Sequence, residues 1–132
     1  MEMLIDFPGG ARVDAHFGQF NVQTDQPPMG GGQGSAPTPF ALFLASLGTC
    51  AGIYVLGFCN QRGLATQGIK IIERVHANPS NGEIENIELE IQVPSDFPEK
   101  YYPALVRSAE QCKVKHLIEN PPTFNVFTKV TE

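Results

Sequence analysis

Charge is what this chain lacks over the longest stretch. From residue 26 to residue 61 there is no Asp, Glu, Lys or Arg. Basic residues are also few. There are nine Lys and Arg against 14 Asp and Glu, for a net charge of −5, and they are scattered from Arg12 to Lys129, with Lys113 and Lys115 the closest grouping. Nucleic acid and anionic membrane surfaces are therefore poor partners, since neutralising phosphates needs clustered cations. The start, MEMLIDFPGG, has no basic segment leading into an apolar run, so no signal peptide is expected. Cysteine is scarce and odd in number, at three, which does not suit a secreted disulfide framework. A cytoplasmic location with reduced thiols is the expectation. The Gly30–Gly34 run has no following lysine, so it is read as a flexible loop and not a phosphate-binding one.

The remainder fits one α+β domain over 1–132, with a core but no room for two. Met3–Phe7 and Arg12–Phe17 flank the turn residues Pro8-Gly9-Gly10, and Phe20–Thr24 follows as a third strand. A Gly- and Pro-rich loop covers Gln26–Pro39. Phe40–Gln61 reads as a long helix, capped by Thr38 before Pro39 and stopped at Arg62-Gly63. Its length and lack of charge would suit a membrane span. Gly48, Gly52, Gly57, Ser46 and Thr49, with no flanking positive cluster, favour a central helix in a soluble fold. Such a helix needs cover on every side, and Gly48-xxx-Gly52 would admit a close backbone. A second subunit is expected to supply part of that cover.

Beyond Gly63, Gly68–Ala77 and Glu83–Val93 alternate as strands around the Asn78–Gly82 turn, with a phase slip between Ile84 and Ile87. A second helix is predicted from about Ser95, with Tyr101, Leu105, Ala109 and Cys112 on one stripe, up to Pro121-Pro122. Phe124–Val130 would be a last strand, making the order βββ-α-ββ-α-β.

The chemistry lies with the thiols. Cys50 and Cys59 are nine residues apart on one helix, facing opposite ways, and cannot pair. Cys112, on the other helix, is free to meet either. Buried filler is the ordinary role for each of the three. Cys59 keeps that role, whereas Cys112 is followed by Lys113, Lys115 and His116, cations that favour a thiolate. Cys112-xxx-His116 is too small a set for a zinc site, and His116 as base for a Cys–His nucleophile is a lesser alternative. No metal is called for.

SAPTPFALFLASLGTC followed by AGIYVLGFCNQRGL, with AEQC some way on, resembles the OsmC/Ohr family of osmotically induced and organic hydroperoxide resistance proteins. FPGGARVDA and FNVQTDQP look like that family's N-terminal hairpin, so the resemblance covers essentially the whole chain. It implies an intertwined homodimer of α+β subunits with long central helices, working without a cofactor. It also implies a thiol peroxidase that takes a small hydroperoxide and is recycled by an external thiol reductant. On that resemblance Cys50 is the peroxidatic thiol, Cys112 the resolving thiol and Arg12 the cation that stabilises the thiolate. A thiolate in the middle of an apolar helix has no helix N-terminus of its own to help it, so a cation must be brought to it. Phe40, Phe43, Leu47 and Tyr54 are the candidate pocket residues, favouring organic hydroperoxides. The chain departs from the hydroperoxidase branch at Phe40, where that branch has the glutamate that holds the arginine. Arg12 also stands one residue later after the Gly-Gly pair than the family pattern places it. The rival reading is a non-enzymatic dimer whose cleft binds a small apolar or thiol-containing ligand.

Overall fold

The computed structural model describes residues 1–131, which form two compact units, one from Met1 to Ser46 and one from Leu47 onward. Strands β1 (Leu4–Gly9), β2 (Arg12–Phe17) and β3 (Phe20–Thr24) make an antiparallel sheet in that order in the first unit. The β1–β2 turn depends on Gly9 and Gly10, both at positive φ (147° and 58°), which residues with a Cβ rarely adopt. Register slips at this turn, so that Gly9 pairs with Arg12.

Helix α1 (Pro39–Gln61) has the expected punctuation. The Thr38 hydroxyl accepts from the Ala41 N–H at 3.1 Å, Pro39 opens the first turn, and Gly63 at φ 64° ends the helix while the Leu64 N–H bonds back to the Cys59 carbonyl at 2.9 Å. By length and composition α1 could cross a membrane. Leu47, Ala51, Val55, Phe58 and Cys59 form one buried stripe along it. Cover on every side, the expectation from sequence, is not reached within one chain: Ile53 is 58% exposed and Phe40 55%. The small-residue positions also hold something other than a close backbone. Gly48 faces the Glu73 carboxylate, where an added Cβ would lie 2.6 Å from Oε1, and Gly52 faces the Ile71 side chain.

In the second unit β4 (Lys70–Ala77) pairs antiparallel with β5 (Ile84–Gln92). The phase slip read at Ile84–Ile87 is a register irregularity at His76/Ala77, where Ala77 pairs with Ile84 but His76 with Asn86. The inner face, Ile71, Leu89 and Ile91, packs on a core of Ala51, Val55, Phe58, Cys59, Phe97, Leu105 and Ala109. Burying each large aliphatic or aromatic side chain there contributes about 1.5–3 kcal/mol. The outer face carries Arg74 between Glu88 (2.9 Å) and Glu90 (3.2 Å).

Two expectations are corrected. The second helical region is not one helix: it divides into α2 (Tyr102–Ala109) and α3 (Lys113–Glu119). Cys112 sits between them in extended backbone, at φ −49° and ψ 124°, so the hydrogen-bond ladder cannot run through it. The stripe itself holds, since Leu105, Ala109 and Cys112 are all buried. Phe124–Val130 forms no strand, for it pairs with neither sheet and its apolar side chains stand in solvent, Phe124 at 82% and Val126 at 97% exposure. A strand without a partner leaves its backbone bonds to water and gains nothing from alternation.

Candidate active site

Cys50 and Cys112 meet in the second unit. They are neighbours, close enough that each shifts the other's titration, and among the described residues neither is in a disulfide. Cys50 is partly exposed while Cys112 is 3% exposed. The break between α2 and α3 creates the site. By capping α3, Cys112 turns the first N–H groups of that helix outward: its sulfur accepts from the Lys115 N–H at 3.4 Å, and it lies 3.8 Å from the Leu47 carbonyl, to which its thiol donates. The backbone N–H groups of Val114 and Lys113 act on the Cys50 thiol.

The electrostatics separate the pair. The Val114 N–H, then the Cys112 thiol, the Lys113 N–H and the Lys113 charge, hold the Cys50 thiol below its ordinary value, against the opposing effect of burial. Cys112 moves up, mainly through burial and further through its contact with Cys50, the Lys115 N–H offsetting part of this. Of the two, Cys50 is therefore the thiol that gives up its proton more readily. A thiolate formed at Cys50 is a nucleophile with a second sulfur beside it. Cys59, fully buried, is pushed up by desolvation, with Arg62 opposing weakly, and stays the inert filler expected of it.

The other candidates are distributed. In the first unit Arg12 and Asp14 lie two apart on β2, hence on one face, and pair at 3.2 Å. The carboxylate on Arg12 is therefore Asp14. Its second oxygen, Oδ1, is buried with no hydrogen-bond partner among the described residues. Phe40 and Phe43, in the first turns of α1, stack on one another at 5.9 Å between ring centroids. Leu47 is buried and lines an apolar cavity of about 720 Å³ between β4–β5 and the helices, with Cys112 on its wall. Tyr54 lines a different cavity, between α1 and α2. The Tyr54 carbonyl accepts from the Ser108 hydroxyl at 3.0 Å. His116, exposed on α3, lies beside Asn120.

Sequence reasoning missed the donors on Cys50, because backbone N–H groups leave no trace in residue identity. A cysteine that caps a helix as a serine would was the one available signal. It also misjudged the Gly-rich loop. Asp25, 1% exposed, accepts from the Gln26, Gln33 and Ser35 N–H groups and from the Ser35 hydroxyl, which straps the loop into one conformation. Gly32 is obligatory there, since an added Cβ would lie 2.0 Å from the Gln26 carbonyl oxygen.

An α+β chain that makes neighbours of a thiol on α1 and a thiol at the break between α2 and α3, one shifted toward ionisation and one away from it, is a dithiol protein. The family model described as OsmC-like protein matches residues 32–127, and the chain belongs to that family. No curated protein matches it in sequence. Among solved structures, it is similar to a protein from Psychrobacter arcticus 273-4 described as a candidate osmotic stress induced and detoxification response protein. That likeness has a TM-score of 0.72 at 18% identity, over 86% of this chain and 85% of the other. An organic hydroperoxide resistance protein OsmC from Legionella pneumophila gives 0.53 at 21%, over 89% of each chain. The organic hydroperoxide resistance protein OhrB of Bacillus subtilis gives 0.53 at 17%, over 91% and 93%. At these identities the likeness defines the fold.

Proposed function

We propose that this OsmC-like protein is a thiol peroxidase that reduces organic hydroperoxides, with Cys50 as the attacking thiolate and Cys112 as the resolving thiol. The observation that carries the reading is that these two thiols are neighbours whose titrations are pushed apart, Cys50 downward by the Val114 and Lys113 N–H groups and Cys112 upward by burial. The family match and the hydroperoxide-resistance relatives support it. The Cys50 thiolate attacks the distal peroxide oxygen. The O–O bond breaks, and the leaving alkoxide takes a proton to become an alcohol. Cys50 is now a sulfenic acid. Cys112 attacks that sulfur and its proton leaves with the hydroxyl as water, closing a disulfide. An external thiol reductant then restores both thiols. Hydroperoxide plus two electrons and two protons gives alcohol plus water.

Arg12, held by Asp14, is the cation assigned to the developing charge, and Asp14 takes the part of the glutamate replaced by Phe40. Both compact units belong to a single family domain, for the family match crosses the boundary between them. The assembly is a homodimer, in which a second copy covers the exposed side of α1, Ile53 and Leu56 included. Light scattering checks this: a particle near the chain mass of 14.4 kDa would sink the dimer.

Cumene hydroperoxide added to reduced protein is expected to consume about two thiols per chain and to give an intramolecular Cys50–Cys112 bridge by peptide mass. Cys50→Ser that removes peroxide as fast as wild type defeats the reading. A second reading, a non-enzymatic dimer binding a small apolar or thiol-containing ligand, is favoured by the apolar cavity that has Cys112 on its wall. Slow thiol loss with tight ligand binding there would select it.

A further inference from the structure

The two short helices that flank Cys112 are held in different ways. Helix α2 buries Leu105 and Ala109 in the core, and its Ser108 hydroxyl donates to the Tyr54 carbonyl of α1 at 3.0 Å. Helix α3 has no buried residue: all of it except Val114 is exposed, with Leu117 at 55% and Ile118 at 50%. Among the described residues its lysines and its glutamate form no ion pair. An isolated helix shorter than about 12–15 residues is marginal in water, so α3, with seven residues and no burial, needs an anchor from outside.

That anchor is the pair of thiols. The Cys112 sulfur caps α3 through the Lys115 N–H at 3.4 Å, and its thiol donates to the Leu47 carbonyl of α1 at 3.8 Å. The backbone N–H groups of Val114 and Lys113 act on the Cys50 thiol, also on α1. The N–H groups at the start of α3 thus depend on the two sulfurs. Bridging the sulfurs alters each of these contacts. A disulfide takes one hydrogen from each thiol, which the hydroperoxide carries off in alcohol and water. Cys112 then has no proton for Leu47, and Cys50 can no longer become a thiolate. Both sulfurs are neutral, and neutral sulfur is a poor acceptor for backbone N–H groups. What remains is a covalent tie at residue 112, outside α3, with the first helical turn left short of acceptors.

We propose that α3 is a redox-released wall, pinned to α1 while both thiols are reduced and freed when the Cys50–Cys112 bridge forms. The device rests on the dithiol chemistry of the peroxidase reading and adds a regulation to it. What α3 walls is the apolar cavity of about 720 Å³, to which it contributes Lys115, Ile118 and Glu119, with Cys112 also on the lining. Release of α3 opens that cavity beside the Cys112 sulfur. The opening comes in the one state that has a disulfide to reduce, and the wall closes once both thiols return.

Amide hydrogen exchange read by mass spectrometry on the whole protein tests this. Diamide accepts the two thiol hydrogens in place of peroxide, so a protein inert to hydroperoxides still shows the release, and peptide mass confirms the bridge. Amides of residues 115–119 are expected to exchange about tenfold faster in the bridged protein than in the reduced one, while those of residues 105–109 keep their rate. Cys112→Ala is expected to loosen α3 to a similar degree without any oxidation, and Cys112→Ser, which keeps a cap, to hold it. Unchanged or slower α3 exchange in the bridged protein, or full protection of α3 in a folded Cys112→Ala protein, would overturn the release and leave the peroxidase reading standing. Failure of diamide to form the bridge would remove both.

Discussion

Two acidic groups in this molecule are shifted down by backbone N–H donors, to opposite ends. In the first unit the Asp25 carboxylate takes three backbone N–H groups and the Ser35 hydroxyl, which drive its carboxyl down to about 2. Every donor belongs to the loop it organises, and Asp25 is 1% exposed, so no outside molecule has a place at it. In the second unit the Val114 and Lys113 N–H groups lower Cys50, yet it stays partly open and has Cys112 as a neighbour. A closed carboxylate with every donor taken from its own loop ties that loop together; an open thiol with a second sulfur near it is the arrangement the proposed peroxidase chemistry needs. Cys59 completes the contrast. On the same helix as Cys50, with full burial and no such donors recorded, it moves the other way.

Removing the second sulfur breaks the contrast most severely. Cys112→Ser keeps a hydroxyl able to cap α3 but not to form a disulfide. Peroxide consumption with the external reductant is then expected to stall after about one equivalent per chain, with a sulfenic acid trapped by dimedone at Cys50. Undiminished turnover in this variant would make Cys50 no different from an isolated thiol.

A milder test sharpens the comparison of Cys50 with Cys59. Iodoacetamide reacts with thiolate, so the rate at each cysteine, resolved by peptide mass, follows its own titration. Cys50, shifted down from 9.0, should reach half its limiting rate below that pH, and Cys59, shifted up, above it. Coincident profiles would mean that the donors on Cys50 have no effect.

The legible part of the molecule was what side-chain identity carries. The Thr38-Pro39 start and Gly63 stop bounded α1 within a residue, and the alternation of β5 even displayed its register slip. Cys50 and Cys112 were picked out as a pair on the family pattern, and each shifts the other's titration in the structure. What could not be read depends on backbone groups or on partners. No glycine or proline marks the break after Ala109, since it is set by the backbone of Cys112. Phe124–Val130 alternates like a strand, but alternation says nothing of whether an edge is there to receive it. The Gly-rich loop was read as flexible because glycines dominate its composition, while the residue that orders it, Asp25, stands just outside the run.

The smallest expected effect concerns that loop and concerns stability alone. Asp25 has its folded carboxyl near 2 against an ordinary 3.8. Because the folded value is the lower one, the stabilisation is complete above about pH 3.8 and is lost as the pH falls from there to about 2. Asp25→Asn cannot ionise, and its amide would point N–H donors at the Ser35 N–H or surrender an acceptor. The variant should therefore melt lower than wild type at neutral pH, while the two converge as the pH drops through that window. Melting curves recorded from about pH 6 to about pH 2 give the answer. Parallel acid limbs for the two proteins would show that Asp25 ionises no differently when folded, and that the comparison with Cys50 rests on geometry without charge.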